Sequence, residues 1–137
     1  MNRQELMKKL AALPFPKNDY WLITGGAMVL YGMKPKTHDI DLGCTKALAD
    51  RLEAEGHPFV RLEDGRRKFV LNAGEVELFE AWLYDRVETV EGFPVISIPG
   101  LIQMKETLGR PKDFADLVRI RDYLQSNVNH TKEEPVP

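Results

Sequence analysis

A short segment in which charged and apolar residues alternate constrains the fold of this chain more than any other. Residues 38–43, His-Asp-Ile-Asp-Leu-Gly, have the period of two that is typical of a β-strand with one buried face. Ile40 and Leu42 would then face a core, while Asp39 and Asp41 would share the opposite face. Neighbouring carboxylates repel each other unless a cation neutralises them. The segment therefore predicts either a solvent-facing edge strand or a strand whose acidic face binds a cation.

Composition narrows the class of protein. The chain has 137 residues, of which 43% are hydrophobic and 29% charged, as expected for one globular domain rather than a disordered protein. A net charge of −2 gives no general attraction to nucleic acid or anionic lipid, so a polyanion site would need a local basic patch. With one cysteine, an apolar-poor N-terminus and no apolar run of about 20 residues, we expect a cytoplasmic protein without a membrane partner.

Helical and strand-like patterns follow one another along the chain. They predict an α/β (α+β) fold, a mixed β-sheet with helices packed on it, in a single small domain over residues 1–125. Residues 126–137 are polar and contain two prolines, which predicts a disordered tail. Predicted strands are 20–24, 38–43, 57–62, 67–71, 75–79 and 93–98. Predicted helices are 2–13, 27–31, one between Thr45 and Gly56, 99–108 and 113–124.

Two adjacent glycines, Gly25 and Gly26, separate the first predicted strand from the helix that follows it. Glycine lets a ligand approach the backbone closely, and a helix N-terminus offers unpaired N–H groups to a phosphate. The same pair could equally form an ordinary tight turn.

A later acidic strand offers a third carboxylate. Glu75 and Glu77 alternate with apolar residues, so they would share one face of the strand 75–79. If that strand lies beside the first acidic strand, Glu77 could complete a metal site or accept a proton. Otherwise both acids are simply exposed.

Two segments resemble the signature of nucleotidyltransferases of the DNA polymerase-β superfamily. The first is WLITGGAMVLYG at residues 21–32, and the second is KTHDIDL at residues 36–42. Within that superfamily the chain is most similar to small bacterial members related to the abortive-infection (AbiEii-type) toxins of toxin–antitoxin systems. Residues 104–117, MKETLGRPKDFADL, resemble a further segment of that subgroup.

The resemblance implies an enzyme that uses Mg²⁺ or Mn²⁺ to transfer a nucleoside monophosphate from a nucleoside triphosphate to a hydroxyl. The acceptor would be RNA, a protein or a small molecule, and a cognate antitoxin or toxin would be a partner. The implied catalytic and metal-binding residues are Asp39, Asp41 and Glu77. The implied nucleotide-binding residues are Gly25, Gly26, Lys36, Thr37, Lys105 and Lys112. Of these, Lys105 and Lys112 would either hold phosphate or brace the site. The third acid of the family is usually Asp, so Glu77 leaves open a non-catalytic nucleotide-binding or partner-binding module.

Other polar and aromatic residues are interpreted more simply. Asp113 is expected to cap the last helix, His38 to face away from the acidic pair, and Trp21, Phe79 and Trp82 to lie in the core. We expect a local basic cluster in the loops around the acidic pair. Its members would be Lys34, Lys36, Arg66, Arg67, Lys68, Lys105, Arg110 and Lys112.

Overall fold

The computed structural model describes the backbone of residues 1–133 and the side-chain environments of residues 1–127. It confirms a small α/β domain with a mixed sheet and helices packed on it. The helices are α1 (Arg3–Ala11), α2 (Thr24–Tyr31), α3 (Lys46–Ala54), α4 (Ile98–Leu108) and α5 (Pro111–Glu133). The strands are β1 (Tyr20–Leu22), β2 (Ile40–Cys44), β3 (Phe59–Arg61), β4 (Arg67–Leu71), β5 (Val76–Glu80), β6 (Val87–Val90) and β7 (Phe93–Ile96). Within this described range, no helix has the length and apolar character needed to cross a membrane.

The sheet has seven strands in the order β3-β4-β5-β2-β1-β7-β6. Strand β2 lies at its centre, parallel to β5 on one side and antiparallel to β1 on the other. Strand β7 runs parallel to β1, and β3, β4 and β6 join as antiparallel neighbours. The predicted strand 38–43 therefore becomes the central strand of the sheet rather than an edge.

The core is built on one face of the central strands. Leu42 of β2 pairs with Leu78 of β5, which pairs in turn with Phe69 of β4, and all three side chains are fully buried. Since side chains alternate between the two faces of a strand, the residues between them must point to the other face. This buried row of Leu42, Leu78 and Phe69 thereby determines which residues can form a site on the opposite face of the sheet.

Helix α3 is connected to this core face by a charge cluster around the buried Arg67. Arg67 of β4 donates from Nε and from its backbone N–H to Glu80 Oε1, both at 2.9 Å. Its guanidinium also reaches Asp50 at 2.7 Å and Glu53 at 3.2 Å, both on α3. The hydrogen bonds from Arg67 hold the pKa of Glu80 below its usual value. The prediction that Arg67 belongs to the basic loops around the acidic pair is therefore wrong.

A close approach fixes the position of Trp21 on the opposite face. The indole of Trp21 lies so near the backbone of Gly43 that an added Cβ would be 2.0 Å from its Nε1. Only glycine leaves room for the ring there. The indole N–H donates to the carbonyl of Trp82 at 2.9 Å, so the close approach also anchors the chain that follows β5.

The start of α2 and the presence of β6 differ from the prediction. Helix α2 begins at Thr24, so the two glycines lie in its first turn rather than before it. Strand β6 was not predicted; it pairs with β7 through a turn at Glu91 and Gly92, both with positive φ, the conformation of a two-residue hairpin.

Helix α5 overlaps the first part of the predicted tail, residues 126–137, whose disorder stays a prediction. Helix α5 continues to Glu133, because residues 126–133 contain neither glycine nor proline and polar side chains are compatible with a solvent-exposed helix. Residues 134–137 of the predicted tail lie outside the described residues.

We expect Gly43→Ala to lower the free energy of unfolding by about 1–3 kcal/mol, the usual cost of overpacking a well-packed site. Urea unfolding followed by circular dichroism measures it. In a Trp21→Leu background the same substitution should cost much less, because the clashing indole is gone. An equal cost in both backgrounds would contradict this explanation.

Arg67→Met should cost about 3–5 kcal/mol of stability, because it leaves the Glu80 carboxylate buried without a partner. The double variant Arg67→Met/Glu80→Leu should recover much of that loss. Both are measured by urea unfolding, and a single-variant cost below about 1 kcal/mol, as for exposed ion pairs, would show that the cluster contributes little.

Candidate active site

The register between β2 and β5 brings two predicted carboxylates together. Asp41 pairs directly with Glu77, and adjacent strands lie roughly 4.8 Å apart. Both side chains are half-buried on the face opposite the Leu42–Leu78 row. Asp39 is exposed and lies in the bend just before β2, not within the strand as predicted.

Thr24 connects the start of helix α2 to this acidic pair. Its backbone has φ of +52°, which is uncommon for a residue with a branched side chain, and its Oγ1 donates to Asp41 Oδ2 at 2.8 Å. The sequence analysis missed this residue, although it directly precedes Gly25 and Gly26. The hydrogen bond holds one oxygen of Asp41 in place at the end of β1.

The environment of Asp41 disfavours its negative charge. Burial raises the pKa of this carboxyl, and the charges of Glu77 and Asp39 raise it further. The hydrogen bond from Thr24 and the charge of Lys68 act in the opposite direction. An added cation would relieve this repulsion.

Lys68 of β4 neutralises part of the acidic face. Its Nζ lies 3.4 Å from Glu77 Oε1, and the side chains of Lys68 and Glu77 are 28% and 30% exposed. Glu77 therefore has a cationic neighbour, Lys68, as well as an anionic one, Asp41.

A second wall of the site is a chain of ion pairs between the connector 32–39 and helices α4 and α5. Asp116 binds Lys34 at 2.7 Å and the buried Lys105 at 2.9 Å. Lys105 also lies 3.3 Å from Asp113, which binds Arg110 at 2.6 Å. Lys105 therefore braces this wall, which is one of the two roles predicted for it.

Asp113 is not the N-cap that was predicted. It lies in the first turn of α5, where its carboxylate accepts the backbone N–H of Arg110 at 3.1 Å. Burial alone would raise its pKa, but the hydrogen bonds from Arg110 and the charge of Lys105 outweigh burial and hold the pKa at about 2. Asp113 is thus negatively charged in the folded protein and stabilises the neighbouring cations Lys105 and Arg110.

These groups surround one cleft of about 530 Å³. Seven of the predicted site residues line it: Gly25, Thr37, Asp39, Asp41, Glu77, Lys105 and Lys112. Three further lining residues, Lys34, Lys68 and Arg110, belong to the basic cluster expected around the acids. The sequence analysis did not assign the remaining lining residues to the site: Thr24, His38, Phe79, Trp82, Leu108 and Asp116. His38 thus faces the cleft, contrary to prediction, because the strand alternation begins only at Ile40.

Two predicted residues lie away from the cleft lining. Gly26 is buried, and an added Cβ would be 2.8 Å from a methyl of Leu22, so this glycine is needed for packing. Lys36 is exposed and its backbone forms a bridge with Asn2. Gly25 differs from both, because it lines the cleft and a Cβ there would be 2.8 Å from Thr37 Oγ1.

A solved structure of similar shape is known. It belongs to a proposed nucleotidyltransferase from Thermotoga maritima, with 17% sequence identity, a TM-score of 0.49 and a match that covers 90% of each chain. No protein-family model and no curated protein matches the chain.

The donor chemistry of the cleft suits a hard divalent cation, since its acids offer carboxylate oxygens. Within residues 1–133, no three or more His, Cys, Asp or Glu side chains are grouped so that they could hold an ion by themselves. Mg²⁺ usually takes one or two protein carboxylates and completes its shell with water and substrate phosphates. Asp39 and Asp41 fit that arrangement, and the metal role of Asp39, Asp41 and Glu77 stays a prediction.

The low pKa of Asp113 predicts a specific acid sensitivity. Its carboxyl has a pKa of about 2 when folded, against an ordinary value of 3.8, so folding favours the charged form. The resulting stabilisation is fully present above the ordinary pKa and is lost as the pH falls towards 2. Asp113→Asn should therefore flatten the decline of stability between about pH 4 and pH 2, measured by urea unfolding across that range. The exposed variant Asp122→Asn is the control and should leave the slope unchanged.

Proposed function

We propose that this protein is a metal-dependent nucleotidyltransferase that transfers a nucleoside monophosphate from a nucleoside triphosphate to a hydroxyl acceptor. The observation that carries the proposal is the pairing of Asp41 with Glu77 across β2 and β5, with Asp39 beside them in one cleft. This is the arrangement of acids implied by the resemblance to the polymerase-β superfamily.

The cleft also has groups suited to the phosphates. Thr24 and Gly25 line it at the start of helix α2, where backbone N–H groups and the helix dipole favour an anion. Lys112, at the start of α5, is exposed, lines the cleft and has no ion-pair partner among the residues whose side chains are described. We assign the triphosphate to the space between α2 and Lys112, with Thr37 beside Gly25.

In the proposed reaction the acceptor oxygen bonds to the α-phosphorus, and the bond from that phosphorus to the bridging oxygen of the β-phosphate breaks. Pyrophosphate leaves, and the hydroxyl proton passes to a cleft carboxylate, for which Glu77 is placed. Asp39 and Asp41 would hold Mg²⁺ or Mn²⁺, which supplies charge neutralisation at the phosphates. The protein contributes mainly positioning and preorganised charge.

The acceptor and the biological partner are further parts of the proposal. Asp39 and Lys112 are exposed at the mouth of the cleft, so a hydroxyl of a large molecule, RNA or protein, can approach the acids. A toxin–antitoxin setting, with a cognate partner protein, follows from the resemblance of residues 104–117.

A non-catalytic nucleotide-binding or partner-binding module is the second candidate. The observation that favours it is the ion pair between Lys68 and Glu77 at 3.4 Å, which neutralises the acid expected to complete the site. In that case the cleft would bind a nucleotide without transferring it.

Asp39→Asn and Asp41→Asn should each lower the transfer rate by about a hundredfold or more, the scale for loss of one transition-state stabilising group. Asp41→Asn should leave stability unchanged or raised, because it relieves the repulsion with Glu77. Pyrophosphate release with Mg²⁺ and each nucleoside triphosphate is measured across RNA and protein acceptors.

Asp122→Asn, on the exposed face of α5, is the matched control and should retain wild-type activity. Full activity in either cleft variant would rule out the proposed mechanism. Metal-dependent nucleotide binding by the wild type without pyrophosphate release, across all acceptors, would instead support the non-catalytic module.

A further inference from the structure

Two aromatic side chains line the cleft next to the acids. Phe79 follows Glu77 by two residues on β5 and therefore faces the same side of the sheet. The ring of Trp82 lies 5.0 Å from that of Phe79 between centroids, with the planes inclined at 58°. Both rings pack against the core, as the sequence analysis expected, but both remain half-buried and form part of the cleft surface. We call Phe79 and Trp82 the aromatic shelf.

The backbone after β5 is held in a conformation that places Trp82 on the shelf. Ala81 has φ of +54°, a conformation that costs energy in residues other than glycine and persists only where surrounding contacts impose it. Two hydrogen bonds impose it here: the N–H of Ala81 donates to Cys44 at 2.7 Å, and the indole of Trp21 donates to the carbonyl of Trp82 at 2.9 Å. The backbone that carries the Trp82 side chain is therefore held in place before any ligand binds.

Cations lie against both rings. The guanidinium carbon of Arg66 is 5.6 Å from the centre of the Trp82 ring, and Lys68 Nζ is 5.4 Å from the centre of the Phe79 ring. Asp64 holds Arg66 at 2.6 Å, and Arg66 is not among the residues that line the cleft. Arg66 thus supports the indole from outside the cleft, whereas Lys68 lies between the shelf and Glu77.

The shelf and the phosphate-binding end lie on opposite sides of the acids. Strand β1 is antiparallel to β2, with Leu22 paired to Leu42, so helix α2 begins near the Ile40 end of β2. Phe79 pairs with Gly43, further towards the other end of β2. Along β2, Asp41 and Glu77 therefore lie between the start of α2 and Phe79 of the shelf, and Asp39 lies at the α2 end. A nucleotide has the same order of parts: phosphates at one end and a flat base at the other.

We propose that the aromatic shelf stacks the base of the nucleoside triphosphate, with Trp82 and Phe79 as its principal contacts. The inference rests on the proposed function for the position of the phosphates. Aromatic side chains stack nucleobases with little regard to sequence, because every base has a π-face. The shelf thus supplies affinity for the nucleoside part, which an inorganic polyphosphate lacks.

Calorimetric titration of Trp82→Leu and Phe79→Leu with two Mg²⁺ complexes tests the proposal. ATP should bind about tenfold or more weakly than to the wild type, the scale of one lost stacking contact. Inorganic tripolyphosphate, which has no base, should bind all three proteins equally. Phe59→Leu is the control: Phe59 is also half-buried and paired with an aromatic residue, but it lies on β3 outside the cleft, and it should bind ATP as the wild type does. Circular dichroism verifies that each variant is folded.

The outcomes separate this proposal from the proposed function. Unchanged ATP binding in both folded shelf variants, or an equal loss for ATP and tripolyphosphate, would overturn base stacking on the shelf. Weaker binding of a short single-stranded RNA with unchanged ATP binding would also overturn it, because the shelf would then serve the acceptor. The expected ATP-specific loss without pyrophosphate release by the wild type would support the shelf and contradict only the transfer reaction. Failure of the wild type to bind the Mg²⁺ complex of any nucleoside triphosphate would overturn both.

Discussion

The pairing of β2 with β5 is the constraint on which both the core and the candidate site depend. A shift of one residue would exchange the two faces of a strand, which would bury Glu77 and expose Leu78. The fully buried row of Leu42, Leu78 and Phe69 resists that exchange. Hydrophobic burial on one face of the sheet therefore holds Asp41 and Glu77 side by side on the other face, although their negative charges repel each other.

The cleft balances this repulsion with contacts from three directions. Thr24 donates to Asp41 from the start of α2, and Lys68 approaches Glu77 from β4. The wall formed by α4 and α5 is held by its own ion pairs, in which Asp113 and Asp116 neutralise Lys105. These ion pairs have a consequence for binding: Lys105 and Arg110 are committed to structure, and the exposed Lys112 is the better candidate for contact with a phosphate.

Aromatic residues connect the fold to the site in a similar way. Gly43 leaves space for Trp21, whose indole hydrogen-bonds to the carbonyl of Trp82. A glycine on the central strand thus helps to position the backbone of Trp82, whose ring lines the cleft. We expect substitutions at Gly43 to affect ligand binding as well as stability, because the two depend on the same contact.

Several features could be predicted from the sequence by itself. The alternation around Ile40 and Leu42 correctly indicated a strand with Asp41 on the face opposite the core, although Asp39 lies before that strand. Hydrophobic periodicity indicated most helices and strands. The same local rules failed where a contact distant in sequence decides the outcome. Arg67 lies in a basic stretch, yet Glu80 and α3 bury it on the opposite face from Lys68. Only the tertiary structure decided that Asp41 lies beside Glu77, that Thr24 binds Asp41, and that Trp82 faces the cleft. The physical reason is that strand register and ion-pair choice depend on residues far apart along the chain, whereas the sequence pattern reports only what near neighbours favour.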